Sequence, residues 1–251
     1  MISSLFEIDG SVGMDEFGKI FTPEIKRIIN IVRKYGFDIR VVGGAVRDFL
    51  LGKTPRDVDF ATDALPAELM FIFDLEGIDH DDSGIQHGTI KAVFGNGKID
   101  VTTMDYRMKV RNGQVITKHG LSWKNDSKHR DLTINSMSVD MDGNLYDYHG
   151  GQEDLKRGMI RFTSDPQEQI DEDPNRILRW FKGLSMFENP RWLVRDRRII
   201  ERNASRVSNV MNSKRTQKLL ASIKESPRYP RILHLMCQMG VAQHLDLNCG
   251  T

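Results

Sequence analysis

Long apolar runs are missing from this 251-residue chain. None approaches the roughly 18 residues of a membrane-spanning helix, so no membrane partner is expected. The opening MISSLFEIDG lacks the basic segment of a secretory leader, and the expected compartment is therefore cytoplasmic. Cysteine is scarce. Cys237 and Cys249 have no metal-ligand spacing and are expected to be reduced bystanders. Low-complexity segments and internal repeats are absent, and 39% apolar with 28% charged residues describes an ordinary folded protein. No Gly-x4-Gly-Lys-Ser/Thr stretch occurs, which excludes a P-loop. A strong net charge is lacking too, at +1 overall. That balance hides a division. Residues 1–150 carry 18 basic and 23 acidic side chains, a net of −5, whereas residues 151–251 carry 18 and 12, a net of +6. An acidic half suited to cations is joined to a basic half suited to a polyanion.

What is present reads as an α/β segment of about 150 residues followed by about 100 helical ones. Thr22, Pro23 and Gly36 bracket a helix over 22–35. DIRVVG (38–43) predicts a strand, and the following GAVRDFLLG a helix stopped by Gly52. RDVDFA (56–61) alternates as a strand does, and Pro66–Leu75 is helical. TIKAVF and KIDVTTM flank Gly95, Asn96 and Gly97, a hairpin signal. Residues 84–87 and 105–128 read as loops. Beyond 151 strand signals vanish, and apolar residues recur at helical spacing in 174–187, 190–201, 213–224 and 229–240. Domains of 1–150 and 151–251 are expected.

The chemistry concentrates in VVGGAVRDFLLGKTPRDVDF, residues 41–60. Residues two apart on a strand share a face, so Asp57 and Asp59 would point together. Carboxylates that close repel unless cations intervene, and Mg²⁺ takes carboxylate and phosphate oxygens together. Gly43 and Gly44 stand between strand and helix, where backbone N–H groups favour anions, and Arg47 adds a cation one turn on. Asp100 alternates with Ile99 and Val101, and so supplies a third acid facing away from the core. Three such acids suit two-metal phosphoryl transfer. Taken singly, each of these features has a bland reading as well: an exposed strand, a tight turn, a solubility residue.

GGAVRDFLLGKTPRDVDF resembles the signature of the nucleotidyltransferase superfamily that includes tRNA nucleotidyltransferases (CCA-adding enzymes) and bacterial poly(A) polymerases. Three further segments resemble family motifs in the same order: HGTIKAVFGNGKIDVTTM (87–104), RDLTINSMSVD (130–140) and EDPNRILRWFK (172–182). The resemblance spans roughly residues 38–187. It implies an α+β fold: a polymerase-beta-like head with a small mixed sheet flanked by helices, then an all-helical neck or body. It implies that Asp57 and Asp59 ligate Mg²⁺ and that Asp100 assists the RNA 3′-hydroxyl. Gly43, Gly44 and Arg47 would contact the triphosphate, with Arg130, Asp131 and Asn135 around the nucleotide and ribose. Asp173 and Arg176 would read the base edge, with Arg179 one turn further. Asp173, Arg176 and Arg179 are three apart, a spacing that would let them share a helix face or merely form a surface ion pair.

The implied activity is addition of C and A to tRNA 3′ ends from CTP and ATP. The alternatives are a poly(A) polymerase or A-adding transferase, and a catalytically silent RNA-binding relative. The arginine-rich segment expected of bacterial poly(A) polymerases is not seen, and IDHDDSGIQHGTI looks CCA-like instead. The chain departs from the pattern at His129 and Lys182, where the family usually has Arg, and in VSNVMNSKRTQKLL, where the next helical motif is barely recognisable. It also ends soon after the expected neck, as a minimal enzyme from a virus or reduced genome would. Dimerisation would compensate for that length, although no residue pattern indicates it. Arg191, Arg195, Arg197, Arg198, Arg202, Arg206, Lys214, Arg215 and Lys218 are the candidate RNA surface.

Overall fold

A computed structural model describes residues 13–249 apart from 96, 112, 113, 119 and 121. The chain divides into two units, and the division is not the expected cut at 150. Residues up to Ser127 join with Asn135–Tyr148, while Lys128–Ile134 go with His149 onward.

The first unit is built on a seven-stranded mixed sheet. Its elements in chain order are α1 (Met14–Phe17), α2 (Pro23–Lys34), β1 (Ile39–Val42), α3 (Gly44–Leu50), β2 (Asp59–Thr62), α4 (Pro66–Leu75), β3 (His80–Gly84), β4 (Thr89–Phe94) and β5 (Gly97–Thr103). There follow β6 (Arg107–Arg111), β7 (Gln114–Lys118), α5 (Trp123–Lys128), β8 (Ser138–Val139) and β9 (Leu145–Tyr146). The order across the sheet is β3-β4-β5-β2-β1-β8-β9, with β2 and β5 parallel and the other pairs antiparallel.

Helix α2 starts as its sequence demands: the Thr22 hydroxyl accepts the Ile25 N–H, and Pro23 occupies a position whose N–H would go unused. Its buried stripe of Ile25, Ile28, Ile29, Ile31 and Val32 lies against the sheet. One cross-strand row shows the buried side of the sheet. Ile90, Val101, Phe60, Val41 and Val139 stand in register on neighbouring strands, and all are fully buried. Burying such side chains supplies about 1.5–3 kcal/mol each before entropy is charged.

Several expectations need correction. Strand β2 begins at Asp59 rather than residue 56, because β1 ends at Val42, the partner of Asp59, before Gly43 turns the chain away. Residues 105–128 are not one loop but the β6–β7 hairpin and α5. Residues 80–84 form an irregular edge strand with a register shift between Asp81 and Gly84.

The second unit packs around α8 (Asn175–Leu184), whose Ile177, Leu178, Trp180, Phe181 and Leu184 are fully buried. Around it lie α6 (Gly151–Arg157), α7 (Pro166–Glu172), α9 (Val194–Arg202), α10 (Lys214–Lys224) and α11 (Tyr229–Gln238). Strand is not absent here: β10 (Met159–Ile160) and β11 (Arg191–Trp192) form a short parallel pair. Residues 128–134 belong to this unit because they are laced to 161–163. Thr133 N–H donates to Arg161 O, Thr163 N–H donates to Asp131 O, and Leu132 bridges Phe162. The cysteines are also corrected. A 3-10 turn at Ala242–Leu245 and a left-handed Asp246 fold the chain back, and Cys249 is disulfide-bonded to Cys237 on α11.

Candidate active site

The row beside the apolar one carries the chemistry. Side chains alternate across a pleated strand, so one step along each strand moves from the covered face to the other. Lys91 pairs with Asp100, Val42 pairs with Asp59, and the parallel register of Phe60 with Val101 sets Asp59 beside Asp100. The row extends to Asp81 on β3 and, through Ser138, to Tyr146 on β9. Five buried apolar residues thus border a row that is ionisable or hydroxylic except at buried Val42. The alternation that builds the core also builds the site.

Asp57 lies two residues before β2, in the exposed lead-in, rather than on the strand. Val58, between Asp57 and Asp59, is half-buried. Asp100 is half-exposed, and both its carboxylate oxygens accept from Lys91 Nζ, at 3.3 and 3.1 Å. The donor chemistry fits a hard divalent cation, being carboxylate oxygen on adjacent strands. The trio is nevertheless not gathered: among the described residues no three His, Cys, Asp or Glu side chains are close enough together to hold an ion.

Gly43 joins β1 to α3 with φ 73° and ψ −130°, a backbone that side-chain-bearing residues avoid. Its N–H donates to Met137 O, tying the turn to the segment that leads into β8. Gly44 opens α3 against Arg47: a Cβ at Gly44 would stand 3.4 Å from Arg47 Nη2. Arg47 donates from Nη1 to Asn135 Oδ1 at 2.6 Å and pairs with Asp48 at 2.8 Å. Two expected nucleotide residues, Arg47 and Asn135, are therefore in direct contact within the first unit.

The second unit holds the other expected residues, and one of them is displaced. Asp173 is not on a helix with Arg176 and Arg179. It is extended, at φ −150°, between α7 and α8. There its Oδ1 accepts the Asn175 N–H at 3.0 Å, and its Oδ2 lies 3.1 Å from Arg215 of α10. Pro174 next to it restricts it to extended backbone. Arg176 is largely buried and donates to Glu172, to Gln169 O and to His129 O, the last at 2.8 Å. Arg179, one turn on and 38% exposed, reaches buried Asp131 at 3.1 Å. The carbonyl of Arg130 accepts from Thr163 Oγ1.

Sequence reasoning misses Lys91. Alternation in TIKAVF places it away from the core, and the hairpin that pairs Phe94 with Gly97 sets it opposite Asp100, so the signal is present. The second unit holds a further acid, on α9. Burial pushes the Asp196 carboxyl up to about 6, against the Phe162 N–H and the cations of Arg195 and Arg161.

A mixed sheet carrying side-by-side aspartates next to a Gly-Gly strand-to-helix turn is the head of a nucleotidyltransferase. Residues 39–161 match the family model described as "Poly A polymerase head domain". The chain belongs to the tRNA nucleotidyltransferase and bacterial poly(A) polymerase family. It is 35% identical over 235 residues to "CCA tRNA nucleotidyltransferase 1, mitochondrial" of Danio rerio, covering 92% of this chain and 54% of that one. It is 38% identical over 168 residues to the CCA-adding enzyme of Bacillus licheniformis, covering 64% and 40%. The solved Bacillus stearothermophilus CCA-adding enzyme in complex with CTP superimposes with a TM-score of 0.75 at 29% identity, over 90% of this chain and 54% of that one. The chain thus spans about half the length of these relatives. No helix among the described residues is long and apolar enough to cross a membrane.

Proposed function

We propose that this chain transfers CMP and AMP from CTP and ATP to the 3′ end of tRNA, without a template. The observation that carries this reading is the placement of Asp59 beside Asp100, next to the Gly43–Gly44 turn, in a chain resembling CCA-adding enzymes over 92% of its length. Asp57 and Asp59 would hold Mg²⁺, with Asp100 directed at the attacking hydroxyl. The bound ion would supply an acidified 3′-hydroxyl and charge for the departing pyrophosphate. Gly43, its own N–H spent on Met137 O, makes the turn that presents the Gly44 N–H to the triphosphate, and Arg47, already braced by Asn135, supplies the cation. In the second unit, Asp173 and Arg179 offer an acceptor and a donor fork for base edges, and Arg130 and Asp131 support the nucleotide. Arg176, held by Glu172, Gln169 O and His129 O, braces the α7–α8 junction and would add a donor to base reading.

The RNA itself would meet the basic half. Arg195, Arg197, Arg206 and Arg215 are paired with carboxylates. Arg198 and Arg202 on α9, and Lys214 and Lys218 on α10, are exposed and form no ion pair among the described residues. Each couple is four residues apart on its helix, so each presents two cations on one face.

The test uses purified protein, a tRNA lacking its CCA end, and each radiolabelled nucleotide in turn. Ordered addition of C, C and A is expected. Long A tails on unrelated RNA would assign the chain to the poly(A) polymerases instead. Asp57→Ala and Asp59→Ala are expected to lower incorporation about 10²–10³-fold, as loss of charge-stabilising groups does, while circular dichroism stays unchanged. Undiminished incorporation in either variant refutes the metal assignment.

A further inference from the structure

We propose that Lys91 is a positioning residue, a built-in ammonium that neutralises and orients Asp100 and must be displaced before a divalent cation can bind there. The proposal rests on the reading that Asp57, Asp59 and Asp100 hold the ion. Asp59 and Asp100 stand on adjacent parallel strands in register, so their carboxylates face the same side at about one strand spacing, roughly 4.8 Å. Like charges at that spacing repel, and a cation is needed among them. Lys91 supplies one. It lies directly across from Asp100 on β4, its Nζ is 3.1 and 3.3 Å from the two carboxylate oxygens, and its side chain is only 27% exposed.

Lys91 has a second acid available and does not use it. Asp81 is its cross-strand neighbour on β3, yet Asp81 is held by Lys98 at 2.6 Å. The ammonium is thereby directed to the acid next to Asp59. Both oxygens of Asp100 that would face a metal face Nζ instead, so ion binding is a competition. The metal affinity of this head is then set partly by a lysine outside the four motifs' acidic and arginine positions. Displaced from Asp100, Lys91 remains on the polar row as a cation beside the site.

The experiment titrates Mn²⁺ into the full chain without nucleotide and reads free Mn²⁺ by electron paramagnetic resonance. Removing an ion pair of this exposure, worth up to about 1 kcal/mol, is expected to tighten Mn²⁺ binding about fivefold in Lys91→Met. Lys91→Arg keeps the charge and is expected to stay near wild type. In an Asp100→Asn background, Lys91→Met is expected to change nothing, because the competition has lost its object. An unchanged dissociation constant in Lys91→Met, or the same gain with Asp100→Asn present, overturns the proposal. Asp59→Asn separates the two readings: if it binds Mn²⁺ as wild type does, the metal site itself is misassigned. Melting curves identify any variant that has lost its fold, and should Lys91→Met be one, Lys91→Gln takes its place against Lys91→Arg with the same outcomes.

Discussion

At the scale of single residues, burial changes what a charged group costs. Asp196 is almost wholly buried in the second unit, and its carboxyl titrates near 6 rather than at the ordinary carboxylate value. The folded chain therefore holds a proton that the unfolded chain has released between roughly pH 4 and pH 6. Where the folded state binds more protons, stability falls as pH rises. This group's contribution is complete below about pH 4, declines through 6 and is level beyond. Asp196→Asn is expected to flatten that slope and to raise stability at pH 7.5 by about 1–2 kcal/mol, measured by urea unfolding across the pH range. A slope that survives in the variant would reassign it to another group. Arg47 belongs to this scale too. Its guanidinium is fixed by Asn135, 88 residues away in sequence, a link that only the fold reveals.

At the scale of elements, register decides which features are legible in advance. Once β4 and β5 are read as a hairpin, the alternation of apolar and polar positions settles which face Asp100 occupies. The same alternation misplaces Asp57, because a strand needs a neighbour as well as a pattern, and β1 stops at Val42. Reading residues 105–128 as loop passes over Asn112-Gly113 between RMKVR and QVITK, which is a hairpin signal in its own right. Spacing alone puts Asp173 on a helix, whereas the following Pro174 forces an extended residue there. It serves as a capping acceptor for α8 and a partner for Arg215. Asp173→Ala is therefore expected to cost about 1 kcal/mol in thermal or urea unfolding, as loss of a helix cap does. Arg176→Ala is expected to blur the choice between CTP and ATP in single-nucleotide incorporation. If that variant lowers stability and leaves the choice intact, Arg176 is a strut and base reading falls to Asp173 and Arg179.

At the scale of the molecule, the charge division and the tail carry the predictions. Replacing Arg198, Arg202, Lys214 and Lys218 by Ala is expected to weaken tRNA binding. It should also flatten the dependence of affinity on salt, by about 0.7 in slope for each single-stranded phosphate that is no longer neutralised. An unchanged slope in filter-binding titrations would move the RNA surface elsewhere. The Cys237–Cys249 bond closes a short ring, with a sequence separation of 12, and ties residue 249 to the last turns of α11. Reduction is expected to lower unfolding stability by about 2–3 kcal/mol and to open residues 242–249 to an endoprotease. Digestion equally slow with and without reductant would contradict that tether. The two interleaved rows of the sheet have a last consequence, for quality control in the cell. A strand β2 or β5 paired one step out of phase would exchange Phe60 with Asp59 or Val101 with Asp100, driving a carboxylate into oil, so such a head is strongly disfavoured. Copies that survive folding are thereby copies with Asp59 and Asp100 side by side, while Asp57, outside the strand, escapes that check.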